Sequence, residues 1–236
     1  MIQIRKAEDR GHADRGWLNA NFSFSFADYH DPQHMGFRVL RVLNDDRLAP
    51  GRGFGPHAHR DMEIVTYVLE GGLLHRDSTG EQHVLRPNEV QTMSAGSGII
   101  HSEFNASQTE PVHSLQIWIH TAKEDLPPSY QQIAFPPSEK RGSFRLLAGP
   151  DVTPGEAATT IHQDARIYVA ELVPGENLER AVASDRYSWV QVARGNLNLN
   201  GQTLKEGDGA AIASESTLSF ASADDEGCEF LLFDLP

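Results

Sequence analysis

Two short segments of the sequence each place two potential metal ligands two residues apart. The first pair is His57 and His59, and the second pair is His101 and Glu103. In a β-strand, residues i and i+2 point to the same face about 6.6 Å apart, so each pair can project into one cavity from its own strand. Three imidazoles and one carboxylate suit Fe, Ni, Cu, Mn or Zn better than Mg or Ca, which prefer oxygen ligands alone. The spacing therefore predicts one divalent transition-metal site.

Chance alone can produce one such pair. The chain has 11 histidines among 236 residues, so roughly 0.5 chance His-x-His pairs are expected, and a single pair is weak support for a metal site. A longer pattern strengthens the prediction, because glycines and further polar residues accompany both pairs. This pattern comprises Gly51, His57, His59 and Glu63, followed by Gly98, His101 and Asn105.

Short strands must position these ligands. Residues 22–26 alternate aromatic and small polar side chains, and residues 37–43 form a similar segment that the polar cluster 44–46 is expected to end. Residues 63–69 are rich in β-branched and apolar side chains and stop at a Gly-Gly turn. Many short strands separated by Gly, Pro and Asp turns predict an all-β barrel or two-sheet sandwich.

The strand pattern is interrupted once and then returns. Residues 121–142 contain two Pro-Pro pairs and many charged residues, which favours an extended connector. We therefore expect two domains, with residues 1–130 carrying the metal site and residues 131–236 forming a second barrel.

A weak internal repeat relates the two halves. Aligning the turn at Glu70-Gly71 with the turn at Arg194-Gly195 matches residues 64–69 with residues 188–193. At this offset of 124, His57, His59 and Glu63 correspond to Ala181, Ala183 and Tyr187. A loop about five residues shorter then matches Asn88-Glu89 with Gly207-Asp208, and at this offset of 119 His101 and Glu103 correspond to Phe220 and Ser222. Every ligand position is lost in the second half. The second barrel is therefore predicted to be degenerate and to bind no metal.

Composition restricts the compartment and the partners. The formal net charge of −13 argues against binding to nucleic acid or to anionic membranes, since both present negative charge. The charged N-terminus lacks the apolar segment of a secretory signal, and no apolar run reaches the length of a membrane span. A single cysteine, Cys228, forms no internal disulfide. We expect a cytoplasmic protein.

Two long motifs resemble the pirin family of the cupin superfamily. They are GFGPHAHRDMEIVTYVLEG at residues 53–71 and MSAGSGIIHSE at residues 93–103. Shorter segments are also similar, so that the resemblance spans nearly the whole chain; they are residues 24–29, 31–32, 35–37, 75–78, 162–164 and 231–235. The resemblance implies two tandem jelly-roll-like cupin barrels with few short helices and one iron-type metal in the N-terminal barrel. For the bacterial members most like this chain, it also implies dioxygenase activity on the flavonol quercetin.

The family resemblance implies that His57, His59, His101 and Glu103 are the metal ligands. The wider cupin pattern takes its carboxylate from the position of Glu63 instead. Along a straight strand Glu63 would lie about 13 Å from His59, whereas Glu103 is one pleat from His101, although a turn at residues 60–61 would bring Glu63 closer. We expect Glu103 to be both ligand and catalytic base, and Glu63 to orient an imidazole or to lie at the barrel rim.

The expected function is oxidative cleavage of a flavonol, or of a related enolic or catecholic compound, with O2. Fe(II) is the expected ion, with Ni, Cu, Mn or Zn as alternatives. Phe54 and Met93 flank the motifs and are candidates to pack against a flat substrate, while His75 is a candidate neighbour of the ligands. The alternative function, raised by the same resemblance, is a pirin-like metal-binding regulatory protein that acts through protein partners without turnover.

Overall fold

The computed structural model describes residues 1–153 and 157–236 of the chain, and it is built almost wholly from β-strands. Within these described ranges the helical segments are two 3-10 helices, Ala7–Asp9 and Pro137–Glu139. The predicted all-β class with few short helices is confirmed. In the same ranges, no helix has the length and apolar character needed to span a membrane.

The strands are numbered in chain order. The first eleven are β1 (Ile2–Arg5), β2 (Gly11–Asp14), β3 (Leu18–Phe22), β4 (Leu40–Leu48), β5 (Gly53–His59), β6 (Met62–Glu70), β7 (Leu73–Asp77), β8 (Gln82–Leu85), β9 (Glu89–Ser94), β10 (Ile99–Asn105) and β11 (Val112–His120). The next eleven are β12 (Ser129–Ala134), β13 (Arg145–Gly149), β14 (Thr159–Thr160), β15 (Arg166–Leu172), β16 (Asn177–Ala181), β17 (Tyr187–Gly195), β18 (Leu197–Leu199), β19 (Gln202–Leu204), β20 (Gly209–Ile212), β21 (Thr217–Ser222) and β22 (Cys228–Leu235).

The chain divides into two compact units. The N-terminal unit comprises Gly11–Phe135 and Ala148–Gln163, and the C-terminal unit comprises Met1–Arg10, Pro136–Leu147 and Asp164–Pro236. Each unit is a jelly-roll-like barrel made of a long and a short antiparallel sheet. Alternating side chains from the inner faces of such sheets form a shared core.

In the N-terminal unit, the long sheet has the strand order β12-β9-β6-β11-β4-β3-β2, and the short sheet has the order β5-β10-β7-β8. One apolar cluster takes side chains from both sheets, so the two sheets face each other across it. Its buried members are Leu18, Ala20, Phe22, Leu48, Val68, Leu73, Leu85 and Val112.

The C-terminal unit repeats this topology. Its short sheet has the order β16-β21-β18-β19, and strands β20-β17-β22-β15 are neighbours in its long sheet. These orders match β5-β10-β7-β8 and β9-β6-β11-β4 strand for strand, which confirms the internal repeat predicted from the turns. Sequential strands that follow the same connection rules reach the same arrangement despite different side chains.

In the C-terminal unit, apolar packing occupies positions equivalent to those of the predicted metal ligands. Phe220 on β21 lies opposite Leu178 and Leu199, as Glu103 lies opposite Phe54 and His75, so the register places Phe220 at the position of Glu103 and not, as the sequence alignment predicted, at that of His101. Its ring stacks on Phe230 with a centroid distance of 4.9 Å and an interplanar angle of 9°. Both rings are fully buried in the core of this unit, together with Leu197, Leu199 and Leu218. The C-terminal unit therefore has the same barrel topology, with apolar side chains packed in its centre.

The observed division departs from the predicted boundary at residue 130 in three places, one of which is that Ala148–Gln163 belongs to the N-terminal unit. The first ten residues belong to the C-terminal unit, because β1 pairs with β20 from Ile2–Ile212 to Arg5–Gly209. The predicted connector also contains β12, which pairs with β9, so the N-terminal unit extends to Phe135. Such pairings join distant parts of the chain and leave no local signal in the sequence.

Two local strand predictions are wrong. Strand β3 ends at Phe22, and the following residues turn, with Ala27 at φ 49°, so residues 22–26 are not one strand. Strand β4 does not stop at the polar cluster 44–46 but runs on to Leu48 with all three polar residues buried. The register of the surrounding sheet overrides the local preference of Asn and Asp for turns.

We predict that Phe220→Ala destabilises the protein by about 3–5 kcal/mol, because it removes a stacked, fully buried ring and leaves a cavity. The measurement is the free energy of unfolding of metal-free protein in urea. Val173→Ala, at a side chain that is 45% exposed in the same unit, is the control and should change this energy by less than about 0.5 kcal/mol. Equal effects of the two substitutions would contradict the core role of Phe220.

Candidate metal centre

The two predicted ligand pairs lie on adjacent strands of the short sheet. Strands β5 and β10 are antiparallel, and their register places His101 directly opposite His57. On its other side β10 pairs with β7, where Glu103 lies opposite His75. The pairing thus brings four of the candidate residues together, three of them from the predicted ligand set.

A register shift and a close backbone approach accompany this pairing. The register between β5 and β10 shifts between His101 and Glu103, so that Glu103 lies opposite Phe54. Such irregularities increase local twist and re-aim side chains. At Gly53 a Cβ atom would lie 2.1 Å from the carbonyl oxygen of Glu103, a distance that no side chain tolerates. Glycine is therefore required where β5 passes the carboxylate residue.

The three predicted imidazole ligands form a compact cluster. The ring centroids are 4.9 Å apart for His57 and His59, 4.4 Å for His57 and His101, and 4.8 Å for His59 and His101. One nitrogen from each ring lies within 4.8 Å of the other two. A second cluster shares His101 and adds Glu103 and His75 within the same distance.

One hydrogen bond to the backbone orients the His57 ring. Its Nδ1 lies 2.8 Å from the carbonyl oxygen of Gly55, which can only accept, so Nδ1 donates. The remaining nitrogen, Nε2, then carries a lone pair and is available as a ligand.

A chain of hydrogen bonds sets the tautomer of His101. The Nε2 atom of the buried His75 lies 2.9 Å from Asp77 Oδ2, so Nε2 donates to the carboxylate. Burial tends to raise the pKa of Asp77, but hydrogen bonds from His75 and Thr79 lower it below its ordinary value. His75 Nδ1 is then an acceptor, and the amide nitrogen of Gln91 and Nδ1 of His101 each lie 3.5 Å from it. His101 therefore carries its proton on Nδ1 and its lone pair on Nε2.

Two buried atoms of this cluster lack a hydrogen-bond partner among the described residues. They are His101 Nε2 and Glu103 Oε1. Unpaired buried polar atoms cost free energy unless a ligand satisfies them. A lone pair and a carboxylate oxygen are both donors of electron pairs, and a divalent cation is the group that satisfies both. The residues present thus fit a metal ion.

Burial favours the neutral imidazoles of His59 and His101, which is the form that binds metals. It lowers the pKa of His101 to about 2, with the charges of His57 and His59 acting in the same direction. It likewise lowers the pKa of His59 to about 4, again with a contribution from His57. Burial raises the pKa of Glu103 to about 7, against the effect of a hydrogen bond from Gln116.

Glu63 lies elsewhere. The turn that sequence analysis considered does occur, with Asp61 at φ 48°, but it directs β6 into the long sheet. There the buried Glu63 accepts a 2.6 Å hydrogen bond from Ser94 Oγ and lies 3.4 Å from His162 Nδ1. Glu63 belongs to neither ligand cluster of the described residues, and the imidazole that it contacts is that of His162.

A cavity of about 640 Å³ opens beside the cluster. His57, His59 and Glu103 line one part of it, and aromatic side chains line much of the rest. These aromatic residues are Trp17, Phe22, Phe26, Tyr29, Phe54 and Trp118. The wall thus offers flat apolar faces next to a polar end, an arrangement that suits a planar aromatic ligand.

The two predicted pocket residues have different positions. Phe54 lines the cavity, where its ring meets that of Trp17 edge to face at 5.4 Å. Met93 instead packs in a small buried cluster with Ile64, Ala95 and Ile99 and does not line this cavity. Met93 is on the long sheet with its side chain in the apolar core, so its proximity to the motif in sequence is misleading.

Sequence analysis missed Gln116 and Trp118. Gln116 Nε2 donates a 2.7 Å hydrogen bond to Glu103 Oε2, and Trp118 Nε1 donates to Gln116 Oε1 at 3.3 Å. The Trp118 ring also contacts His59 edge to face at 4.8 Å. A signal was present, since a glutamine between Leu115 and Ile117, on a face that the strand turns inward, requires a hydrogen-bond partner.

Comparisons with known proteins agree with this geometry. Residues 3–119 match the family model Pirin, and residues 146–235 match the model of the quercetinase C-terminal cupin domain. The chain is 44% identical to quercetin 2,3-dioxygenase of Escherichia coli strain K12, over 100% of this chain and 99% of that protein. It is 39% identical to a pirin-like protein of Caulobacter vibrioides, over 99% of each chain.

A solved structure is similar throughout. The structure of the bacterial pirin YhhW of Escherichia coli in complex with nickel(II) covers this chain completely, with 99% of that chain aligned, a TM-score of 0.93 and 44% identity. The two barrels are therefore cupin domains, and the chain is similar over its whole length to proteins named quercetin 2,3-dioxygenase. Its cluster of His and Glu side chains suits a divalent metal ion. The match to the family model and the 44% identity to a bacterial pirin show that the chain belongs to the pirin family.

Proposed function

We propose that this protein is an iron-dependent dioxygenase that cleaves a flavonol, or a related enolic or catecholic compound, with O2. One observation carries the proposal, namely that a cluster of three imidazoles lies beside a cavity with aromatic walls, which His57, His59 and the buried carboxylate of Glu103 line. The similarity to proteins named quercetin 2,3-dioxygenase supports the same substrate class.

His57, His59, His101 and Glu103 are the residues that would hold the ion. An imidazole and carboxylate donor set with open positions is typical of non-haem Fe(II) oxygenases, which supports Fe(II). The nickel(II) complex of a relative shows that a similar chain also accepts another divalent ion. When bound, the ion would supply a Lewis-acidic centre that acidifies a coordinated enol or phenol and prepares it for reaction with O2.

The side chains of the cavity perform the remaining tasks. Glu103, whose carboxylate lines the cavity, takes the proton of the substrate 3-hydroxyl. Gln116 holds the other carboxylate oxygen in place through its 2.7 Å hydrogen bond. The aromatic walls orient the flat substrate and exclude water from the reacting face.

The activity itself is the first prediction of this proposal. Iron-loaded protein incubated with quercetin under oxygen should release carbon monoxide and form the cleaved depside, which gas analysis and liquid chromatography detect. Metal-free protein is the control. Full metal occupancy without product above this control would end the enzyme assignment and favour the alternative, a metal-binding regulatory protein that acts through protein partners.

The choice of carboxylate can be decided by metal content. We expect Glu103→Gln and His101→Ala to lower the metal content of protein purified without added metal by roughly tenfold or more, because each removes a ligand. Glu63→Gln should retain the metal, since Ser94 Oγ can still donate to the amide oxygen. Elemental analysis measures all three variants. Loss of metal in Glu63→Gln together with retention in Glu103→Gln would reverse the assignment.

The hydrogen bonds that link Asp77, His75 and His101 lead us to predict that a substitution at Asp77 changes the metal affinity. In Asp77→Asn, the new amide can donate its N–H to His75 Nε2, so that Nε2 becomes an acceptor. The proton of the neutral His75 ring then lies on its Nδ1, where it faces the Nδ1–H of His101. His101 Nε2 would have to take the proton, so Ni(II) affinity should fall by about 10- to 100-fold. Competition with a chelator measures this affinity.

Glu81→Gln is the matched control for Asp77→Asn. Its carboxylate also contacts a histidine, His83, at 2.7 Å, but at the exposed surface. We expect unchanged Ni(II) affinity in this variant. Thermal unfolding of both metal-free variants separates an effect on the ligand from a loss of the fold. An Asp77→Asn variant that binds Ni(II) as tightly as wild type would contradict the tautomer assignment.

A further inference from the structure

The cavity contains a second polar region apart from the candidate metal ligands. Asn44 and Asp46 lie two residues apart on β4, so both side chains point to the same face of the long sheet. Both line the cavity, although only 1% of Asn44 and 4% of Asp46 is exposed. Asp45, between them, does not line the cavity and is engaged by His113 Nε2 at 2.7 Å.

Each of these side chains has a buried oxygen with no hydrogen-bond partner in the described part of the chain. The two atoms are Asn44 Oδ1 and Asp46 Oδ1. A buried acceptor that faces a cavity is satisfied when a ligand donates to it, and two such acceptors side by side are costly without one. The neighbours across the sheet leave room for a ligand, since Asp46 lies opposite the small residues Ala20 and Ser114.

The position of this pair relative to the metal ligands follows from the register. Asn44 lies directly opposite Gln116 on β11, and Gln116 donates to Glu103. The backbone of Asn44 is therefore about one strand spacing, near 5 Å, from that of Gln116, whose side chain contacts Glu103. A flat ligand with one oxygen at the imidazole cluster can extend across β11 toward β4.

We propose that Asn44 and Asp46 form a subsite that recognises a phenolic hydroxyl on the part of the ligand remote from the imidazole cluster. The inference rests on the proposed function, because it names the chemical class of compound that the same cavity takes. The ligand is then a planar polyphenol, and an aromatic compound without a remote hydroxyl would leave both acceptors unpaired.

The ionisation state of Asp46 agrees with this role. Burial, with the charges of Asp45 and Glu103, raises the pKa of Asp46 well above its ordinary value. A protonated carboxyl both donates and accepts hydrogen bonds, as a phenolic hydroxyl does. No arginine or lysine among the residues that line this cavity pairs with Asp46; Arg15, the one such cation in the lining, contacts Asp28.

The test compares two flavonols that share the 3-hydroxyl. Quercetin carries two hydroxyls on its B ring, and galangin carries none. Metal-loaded wild-type protein, kept without oxygen, should bind quercetin about 5- to 100-fold more tightly than galangin in titration calorimetry. Asn44→Leu and Asp46→Leu should each reduce this ratio toward one by weakening quercetin binding alone, while Asp46→Asn, which can still donate and accept, should restore most of it.

Asp28→Leu is the control for an acidic residue of the same cavity, since Asp28 is exposed at the rim, and it should leave the ratio unchanged. A wild-type ratio near one, or equal weakening of both flavonols by the leucine variants, would overturn the subsite without affecting the proposed function. Selective binding without carbon monoxide release under oxygen would support the subsite and overturn the proposed function. Absence of binding of both flavonols would overturn both.

Discussion

The pairing of β5 with β10 is the constraint on which the rest of the site depends. It places His57 opposite His101 and carries Glu103 past Gly53 at a distance that only glycine permits. Because side chains alternate along a strand, a slip of one residue would turn these ligands to the outside of the barrel. The apolar core beneath both sheets specifies the register, so packing far from the cluster determines where the imidazoles meet.

The two barrels show how little of the function lies in the topology. Both have the same order of strands, yet one has the carboxylate of Glu103 where the other has the stacked ring of Phe220. An apolar centre is the more stable solution, because every buried polar atom needs a partner. The N-terminal barrel instead has imidazoles beside one cavity, which the buried side chains of Asn44, Asp46 and Glu103 also line. The free-energy cost of buried polar atoms is confined to this one region of the barrel. Function therefore depends on particular side chains and not on the fold that the two barrels share.

The sequence predicted features whose information is local. Two ligands at i and i+2 share a face of any strand, and the turns after Glu70 and Arg194 carry their own signal. It could not predict which strands become neighbours. The contacts of Gln116 with Glu103 and of His75 with Asp77 and His101 arise across strands. The same nonlocal register keeps Asn44 and Asp46 within a strand, although local preference predicted a stop there.

Glu103 and Asp46 are two buried acids that line the same cavity, and they differ in their distance from the imidazole cluster. Glu103 and Asp46 raise each other's cost of ionisation, and burial raises the pKa of both. A cation beside Glu103 removes the cost for that residue alone, since it lies among the imidazoles while Asp46 lies on β4. In the proposed site, Glu103 would then serve as a negative ligand and base, and Asp46 would stay a neutral hydrogen-bonding group. One ion is sufficient to give two similar carboxyls these different roles, so the imidazole cluster organises the chemistry of the whole cavity.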